Sequence, residues 1–143
     1  MIRGTVLVIE DDGELIDLMK MRLESAGHQV IMASNGEEAL QVARAKTPDV
    51  VVLDVFLPDM DGLTVLKRLK APVEIETGKP SKTKDIPVIV ITGKAPMIEN
   101  ITRVEGAVDF FVKPFDAKKL IDRVCHILEQ AKDGQKHEQK SKR

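Results

Sequence analysis

Five polar residues stand where apolar segments of the chain end, and their chemistry points to phosphoryl transfer. They are Glu10 and Asp11 after the first apolar segment, Asp54 after the third, and Thr92 and Lys113 after the last two. Carboxylates within a few ångströms of one another repel, so their charge must be compensated by a divalent cation or a lysine ammonium. Oxygen ligands with an open coordination sphere suit Mg²⁺, which keeps several waters and shares a substrate phosphate. The residue types therefore predict a magnesium site.

Asp54 is the predicted nucleophile of this chemistry. Its carboxylate would attack a phosphorus atom and form an acyl phosphate. Mg²⁺ and Lys113 would neutralise charge on the phosphoryl oxygens, while the hydroxyl of Thr92 would donate a hydrogen bond to one of them. A single acid after a buried strand usually marks only the point where the chain reaches solvent. The prediction depends on complementary groups that follow several strands.

The periodicity of apolar residues predicts five strands alternating with five helices. The predicted strands are Thr5–Ile9, Gln29–Ala33, 50–53, 87–91 and 107–112, and the predicted helices are 13–26, 37–46, 63–70, 97–104 and one that begins near Asp116. This α/β alternation gives a parallel sheet covered on both faces. Right-handed crossovers favour a doubly wound, flavodoxin-like (βα)5 sheet of order 2-1-3-4-5. Sites in such sheets form beyond the carboxyl ends of the strands, where the five polar residues stand.

Composition excludes several classes of protein. The chain has 143 residues, of which 43% are apolar and 31% charged, which is typical of one globular domain and not of a disordered chain. One cysteine cannot form an internal disulfide, and no apolar run approaches the roughly 20 residues of a membrane span. We therefore expect a cytoplasmic protein that does not associate with membranes.

The net charge of −1 is distributed unevenly. Residues 131–143 carry a net charge of +3, which leaves about −4 on the predicted domain of residues 1–130. A mildly acidic domain is not expected to bind nucleic acid directly. The basic end is predicted to be a disordered polar tail or the start of a linker.

Four segments together resemble the receiver domain of two-component response regulators, of the chemotaxis-type, single-domain kind. They are VLVIEDD at 6–12, the pattern Asp54-x3-Pro58-x2-Asp61-Gly62, VIVITG at 88–93 and GAVDFFVKPF at 106–115. The resemblance covers roughly residues 3–130 and is specific because all four segments occur in order and at the family's spacing. It implies that Asp54 is the phosphoacceptor.

The resemblance also implies roles for the residues around Asp54. Glu10, Asp11, Asp54 and the backbone carbonyl of Phe56 would hold Mg²⁺. Thr92 and Phe110 would form a switch pair, and Lys113 matches the lysine that the family places in the site. The Lys113–Pro114 peptide bond would be cis, and Asp12 would serve as a cap or as a local charge for the first helix and not as a main ligand.

The same resemblance implies partners and a mode of action. The phosphoryl group would come from a sensor histidine kinase, a histidine phosphotransfer protein or a small phosphodonor. The domain would assist only its own phosphorylation and dephosphorylation, so we do not expect an enzyme. Phosphorylation would change the surface of the fourth helix, the fifth strand and the fifth helix, to which a downstream protein partner binds. A dimer that forms on phosphorylation is a further expectation.

The sequence leaves three alternatives for how this domain acts on other molecules. The chain could be a stand-alone receiver that acts by protein contact, which the polar tail favours. It could be a fragment of a longer regulator whose other part binds DNA or does chemistry. The third alternative, a binding module that does not depend on phosphorylation, is the least favoured because every chemical position is filled.

Residues 71–85 depart from the family pattern because this segment is several residues longer than usual before the fourth strand. The topology puts the segment at the amino ends of the strands, which is the end of the sheet opposite the predicted site. We expect a mobile surface insertion there, and the alternative is a partner-docking loop built on Lys79, Lys82 and Lys84.

Phe56 is the second departure, since it is bulky where the family often has smaller or polar side chains. Together with Lys94 it would flank the path of a water molecule that attacks the phosphorylated carboxylate. This position predicts a relatively long-lived phosphorylated state.

Overall fold

Five parallel strands form a single sheet. They are β1 (Thr5–Ile9), β2 (Gln29–Ala33), β3 (Val50–Asp54), β4 (Val88–Thr92) and β5 (Asp109–Val112). The structure is a computed structural model that describes residues 3–93, 100, 103 and 105–141, with side chains as far as residue 131. The strand order is β2-β1-β3-β4-β5, which confirms the predicted fold class and strand order. β4 lies one residue later than predicted, and β5 begins two residues later, after a turn at Gly106.

Four helices lie within the described residues. They are α1 (Gly13–Ser25), α2 (Gly36–Lys46), α3 (Gly62–Lys70) and α4 (Ala117–Ser141). The helix predicted at 97–104 lies largely outside the described residues, and so does Lys94. A carboxylate oxygen of Asp116 accepts a hydrogen bond from the N–H of Lys118 at 2.9 Å, as expected of the residue that caps the last helix.

The last helix is longer than the sequence predicts. α4 continues to Ser141, which differs from the disordered tail expected for residues 131–143. The predicted boundary at residue 130, between the domain and a tail or linker, stays a prediction. Among the described residues, no helix combines the length and the apolar character that crossing a membrane requires.

Residues that alternate along the central strands form two hydrophobic cores, one on each face of the sheet. Leu7 of β1 and Val51 of β3 belong to the core under α2 and α3. Val8 and Val52, their neighbours in sequence, belong to the core under α1 and α4. Because the central strands are buried on both faces, they are apolar throughout and do not alternate with polar residues. This double packing holds the carboxyl ends of the strands in fixed positions.

Segment 71–85 is folded on itself and contacts α2. The N–H of Ser81 donates to the carbonyl of Pro72 at 2.9 Å. The carboxylate of Glu76 pairs with the guanidinium of Arg44 on α2 at 2.9 Å. The segment joins α3 to the amino end of β4, so it lies on the predicted pole, opposite the carboxyl ends of the strands. Its role as a surface insertion or as a docking loop stays a prediction.

The loop between β3 and α3 turns back closely on the end of β3. Phe56 and Asp61 pair across this loop, and the N–H of Gly62 donates to the carbonyl of Val55 at 2.7 Å. A Cβ atom at position 62 would lie 2.4 Å from the Cα of Val55 and 2.6 Å from the carbonyl oxygen of Asp54. Only glycine permits this approach of two backbone segments.

Replacing Gly62 with alanine is expected to destabilise the protein by about 2 kcal/mol, because the clash is with backbone atoms that cannot turn aside. Gly13→Ala is the matched control, since a Cβ there meets nothing within 4 Å. Urea unfolding followed by circular dichroism gives the free energy of unfolding of both variants. Equal stability of the two variants would contradict the close approach at Gly62.

Candidate functional site

The ends of four strands bring the predicted site residues to one edge of the sheet. Glu10 directly follows β1, and Asp54 is the last residue of the neighbouring strand β3. Thr92 is the last residue of β4, and Lys113 directly follows β5. The N–H of Lys113 donates to the carbonyl of Thr92 at 2.7 Å. The position of each of these residues is therefore set by the strand at whose carboxyl end it lies.

The ammonium of Lys113 lies between two buried carboxylates. Its Nζ donates to Oε1 and Oε2 of Glu10 at 3.1 and 3.0 Å, and to Oδ2 of Asp54 at 3.2 Å. The other oxygen of Asp54, Oδ1, accepts a hydrogen bond from the N–H of Phe56 at 3.0 Å. Since the residue is only 3% exposed and each oxygen has its own donor, the carboxylate of Asp54 is held in one orientation.

Complete burial of Glu10 changes its protonation. The pKa of its carboxyl is raised from 4.5 to about 7, because desolvation, together with the nearby charge of Asp54, outweighs the hydrogen bond from Lys113. Burial alone would lower the pKa of Lys113, but its hydrogen bond to Glu10 and the charges of both carboxylates raise it. Lys113 is therefore a cation at neutral pH, and it does not balance all the negative charge of the site.

Glu10, Asp11 and Asp54 form a cluster whose donor chemistry fits a divalent cation. One carboxylate oxygen from each residue lies within 4.8 Å of the others. Asp11 is exposed while Glu10 and Asp54 are buried, so the cluster opens to solvent on one side. Carboxylate oxygens with room for water are the ligands that Mg²⁺ prefers. The ammonium of Lys113 supplies a single positive charge to this cluster of three carboxyl groups, of which that of Glu10 has a raised pKa.

The remaining predicted residues differ in how far they are buried. Phe56 is 47% exposed beside Asp54, and Thr92 is fully buried. Phe110 of β5 is partly buried against the core under α2 and α3. The Lys113–Pro114 peptide bond is cis, as the resemblance implied. The roles of the Phe56 carbonyl and of the Thr92–Phe110 pair stay predictions.

Comparison with known proteins identifies the family. A family model described as the response regulator receiver domain matches residues 6–125. The chain belongs to this family. The resemblance inferred from the four sequence segments is thereby confirmed.

The similar proteins include regulators from several organisms. The receiver domain is 39% identical over 127 residues to the "Probable transcriptional regulator ycf27" of Pyropia yezoensis, which corresponds to 88% of this chain and 48% of that protein. It is 36% identical over 124 residues to the alkaline phosphatase synthesis transcriptional regulatory protein PhoP of Bacillus subtilis, with 86% of this chain and 48% of PhoP covered. The chain thus spans about half the length of these curated relatives.

A solved structure gives the same assignment. The receiver domain of the Francisella response regulator 1452 superposes with a TM-score of 0.78 at 27% identity. The match covers 90% of this chain and 98% of that one. The two domains therefore share the whole five-stranded architecture.

Three further acids of this receiver accept hydrogen bonds from the first turns of helices. Asp12 accepts from two N–H groups of α1, which confirms its predicted role as a cap, and Asp61 accepts from the N–H of Leu63 in α3. Asp59 accepts from two N–H groups at the start of α2. The sequence analysis did not single out Asp59, and it named Asp61 only as part of the family pattern and not as a cap. An aspartate directly before a helical pattern could have revealed Asp61, whereas Asp59 binds a helix that is distant in sequence.

The raised pKa of Glu10 predicts how stability depends on pH. With divalent cations removed, the wild type is expected to lose stability relative to Glu10→Gln as the pH rises from about 4.5 to about 7. Below this range Glu10 is protonated in both the folded and the unfolded protein. Above it, the buried charge costs the folded state up to about 3 kcal/mol, while glutamine stays neutral.

Urea unfolding at several pH values measures this difference between the two proteins. The two proteins differ at no other residue, so the pH dependence of the difference reports the titration of Glu10 together with its interactions with its neighbours. A difference that stays constant between pH 5 and pH 8 would contradict the raised pKa.

Proposed function

We propose that this receiver domain accepts a phosphoryl group on Asp54 from a histidine kinase or a histidine phosphotransfer protein. The observation that carries the proposal is the buried carboxylate of Asp54, held between the N–H of Phe56 and the ammonium of Lys113. The carboxylates of Glu10 and Asp11 lie beside it. A nucleophile of fixed orientation next to a cationic group meets the two requirements of phosphoryl transfer, which are positioning and charge stabilisation.

The reaction forms one bond and breaks another. An oxygen of Asp54 attacks the phosphorus atom, and the P–N bond of a phosphohistidine, or the P–O bond of a small phosphodonor, breaks with its electrons going to the leaving group. Lys113, already in contact with Asp54, neutralises charge on the incoming phosphoryl oxygens. The hydroxyl of Thr92, at the end of the neighbouring strand, is the proposed donor to the transferred group.

Glu10, Asp11, Asp54 and the backbone carbonyl of Phe56 are the residues that would hold Mg²⁺. Bound Mg²⁺ would supply further positive charge at the phosphoryl oxygens. The support for this assignment is the all-carboxylate cluster, whose negative charge exceeds what Lys113 balances.

Thr92 and Phe110 are the proposed switch between the site and the protein surface. They lie on the adjacent strands β4 and β5. A movement of Thr92 toward the phosphoryl group would vacate space into which Phe110 turns from its partly buried position. This movement would change the surface formed by the predicted fourth helix at 97–104, by β5 and by α4, which is the fifth predicted helix. A downstream protein partner, or a second copy of the chain, would bind the phosphorylated form there.

We propose two candidates for what this receiver controls. In the first candidate the phosphorylated receiver acts by direct contact with a partner protein. The relatives named as transcriptional regulators support a second candidate, in which this receiver controls a DNA-binding segment of a longer protein. In both candidates the receiver itself makes no contact with nucleic acid.

Asp54→Ala is expected to abolish acyl-phosphate formation, because the variant lacks the nucleophile. The measurement is incorporation of label from radioactive acetyl phosphate in the presence of Mg²⁺. Asp122→Asn is the control, since it removes an exposed acid of α4 and should leave labelling unchanged. Label that resists alkali and hydroxylamine, or label that persists in Asp54→Ala, would contradict the assignment.

Phe56→Asn is expected to shorten the lifetime of the phosphorylated state several-fold, because a smaller polar side chain opens the path of the attacking water. The lifetime is measured as loss of label from purified phosphorylated protein. Ile75→Asn is the matched control, because Ile75 is 69% exposed in the segment on the opposite pole. An unchanged lifetime in Phe56→Asn would refute the shielding role of Phe56.

A further inference from the structure

The first turn of α2 receives part of its hydrogen bonding from the loop that follows Asp54. Oδ1 of Asp59 accepts the N–H of Gly36 at 2.7 Å, and Oδ2 accepts the N–H of Glu37 at 3.0 Å. The next two N–H groups of the helix are bound by the side chain and the carbonyl of Asn35. The free N–H groups that every helix has at its start are thus divided between a local cap and a residue of another element.

An apolar contact brings the same loop and helix together. A Cβ atom at position 36 would lie 2.3 Å from Cγ and 2.7 Å from Sδ of Met60. Met60 therefore occupies the space that any other residue at position 36 would need. Together with the two hydrogen bonds to Asp59, this contact places the middle of the loop directly against α2.

The same loop carries backbone groups of the proposed phosphorylation site. Phe56, three residues before Asp59, donates its N–H to Asp54, and its carbonyl is a proposed ligand of Mg²⁺. Near its end the loop is closed by the pairing of Phe56 with Asp61. Residues 57–60 between these two points are bound to α2 through Asp59.

The charge of Asp59 suits this position. Its hydrogen bonds from the N–H groups of Gly36 and Glu37 lower the pKa of the carboxyl, so the group is an anion at neutral pH. An anion at the amino end of a helix is also stabilised by the helix dipole. Since both of its oxygens accept hydrogen bonds from α2, the carboxylate is oriented toward the helix.

We propose that Asp59 is a positioning residue, which holds the loop of residues 56–61 against α2 and so keeps the backbone of Phe56 in place for Mg²⁺ and for Asp54. The inference rests on the proposed function, because it assigns to Asp59 an effect on that same site. By linkage, Mg²⁺ bound at the loop also strengthens the hydrogen bonds between Asp59 and α2. The first turn of α2 therefore responds to occupancy of the site.

The experiment compares two residues that bind the same helix end. Asp59→Ala removes the link to the loop, while Asn35→Ala removes the local cap and leaves the loop untouched. Calorimetric titration with Mg²⁺ should show an affinity about tenfold weaker in Asp59→Ala, the size of effect typical of residues that orient metal ligands. Asn35→Ala should bind Mg²⁺ as the wild type does, even though it is less stable. Asp59→Asn keeps one acceptor and should lose less affinity than Asp59→Ala.

A second readout follows the helix itself. In the wild type, Mg²⁺ should slow hydrogen exchange at the amides of Gly36 and Glu37, and in Asp59→Ala this protection should disappear. Equal Mg²⁺ affinity in Asp59→Ala and Asn35→Ala would overturn the inference, as would unchanged protection of these amides. If Asp59→Ala does not fold, the Mg²⁺ affinity of Asp59→Asn is measured instead. The inference would then be overturned by an affinity of Asp59→Asn equal to that of the wild type. Failure of the wild type to bind Mg²⁺ would overturn the proposed function itself, together with this inference.

Discussion

Repulsion between three carboxylates at the ends of β1 and β3 is the constraint on which the rest of the site depends. Glu10 and Asp54 are buried there and Asp11 lies beside them, with one ligand oxygen from each residue within 4.8 Å of the others. Such a cluster is stable only with positive charge close by, and Lys113 at the end of β5 supplies one unit of it. Burial is the main cause of the raised pKa of Glu10, and the charge of Asp54 adds to it. The negative charge that Lys113 leaves unbalanced supports the affinity for a divalent cation that we propose. The two cores of the sheet supply the rigidity that keeps these like charges together.

The acids at this edge of the sheet divide into two groups with different tasks. Glu10, Asp11 and Asp54 lie at the ends of strands and form the cluster. Asp12, Asp59 and Asp61 bind helix N–H groups. This division follows from the topology, because in a right-handed βαβ unit each helix begins near the end of the preceding strand. A parallel sheet therefore presents carboxylates and helix amino ends at the same pole, and the helix dipoles offset part of the negative charge.

The sequence predicts the features that depend on regular spacing. Apolar runs such as the one before Asp54 locate the strands within one or two residues, because only a strand buried on both faces is apolar throughout. The strand order then places Glu10 beside Asp54, and Lys113 is brought to them although it is distant in the chain. The contact between Asp59 and α2 escaped prediction, since irregular loops have no period and their partners are set only by the folded structure.

The length of α4 and the conformation of segment 71–85 were also beyond the sequence pattern. Composition indicated a solvated basic tail, but a polar run of good helix formers can equally continue a helix that is already nucleated. In the segment, hydrogen bonds such as that between Ser81 and Pro72 close the loop without any apolar periodicity. Local polar contacts of this kind depend on geometry that composition does not encode.

The fold of segment 71–85 has a practical consequence for protein engineering. Its ends are brought together by its own backbone hydrogen bonds, and its tip around Gly78 is exposed. Exposed tips of this kind are the sites at which an inserted domain or a new pair of termini is best tolerated. The carboxylate cluster lies at the other end of the strands. A fluorescent reporter inserted at the tip of segment 71–85 would therefore leave the chemistry of the cluster undisturbed, although both would belong to the same rigid domain.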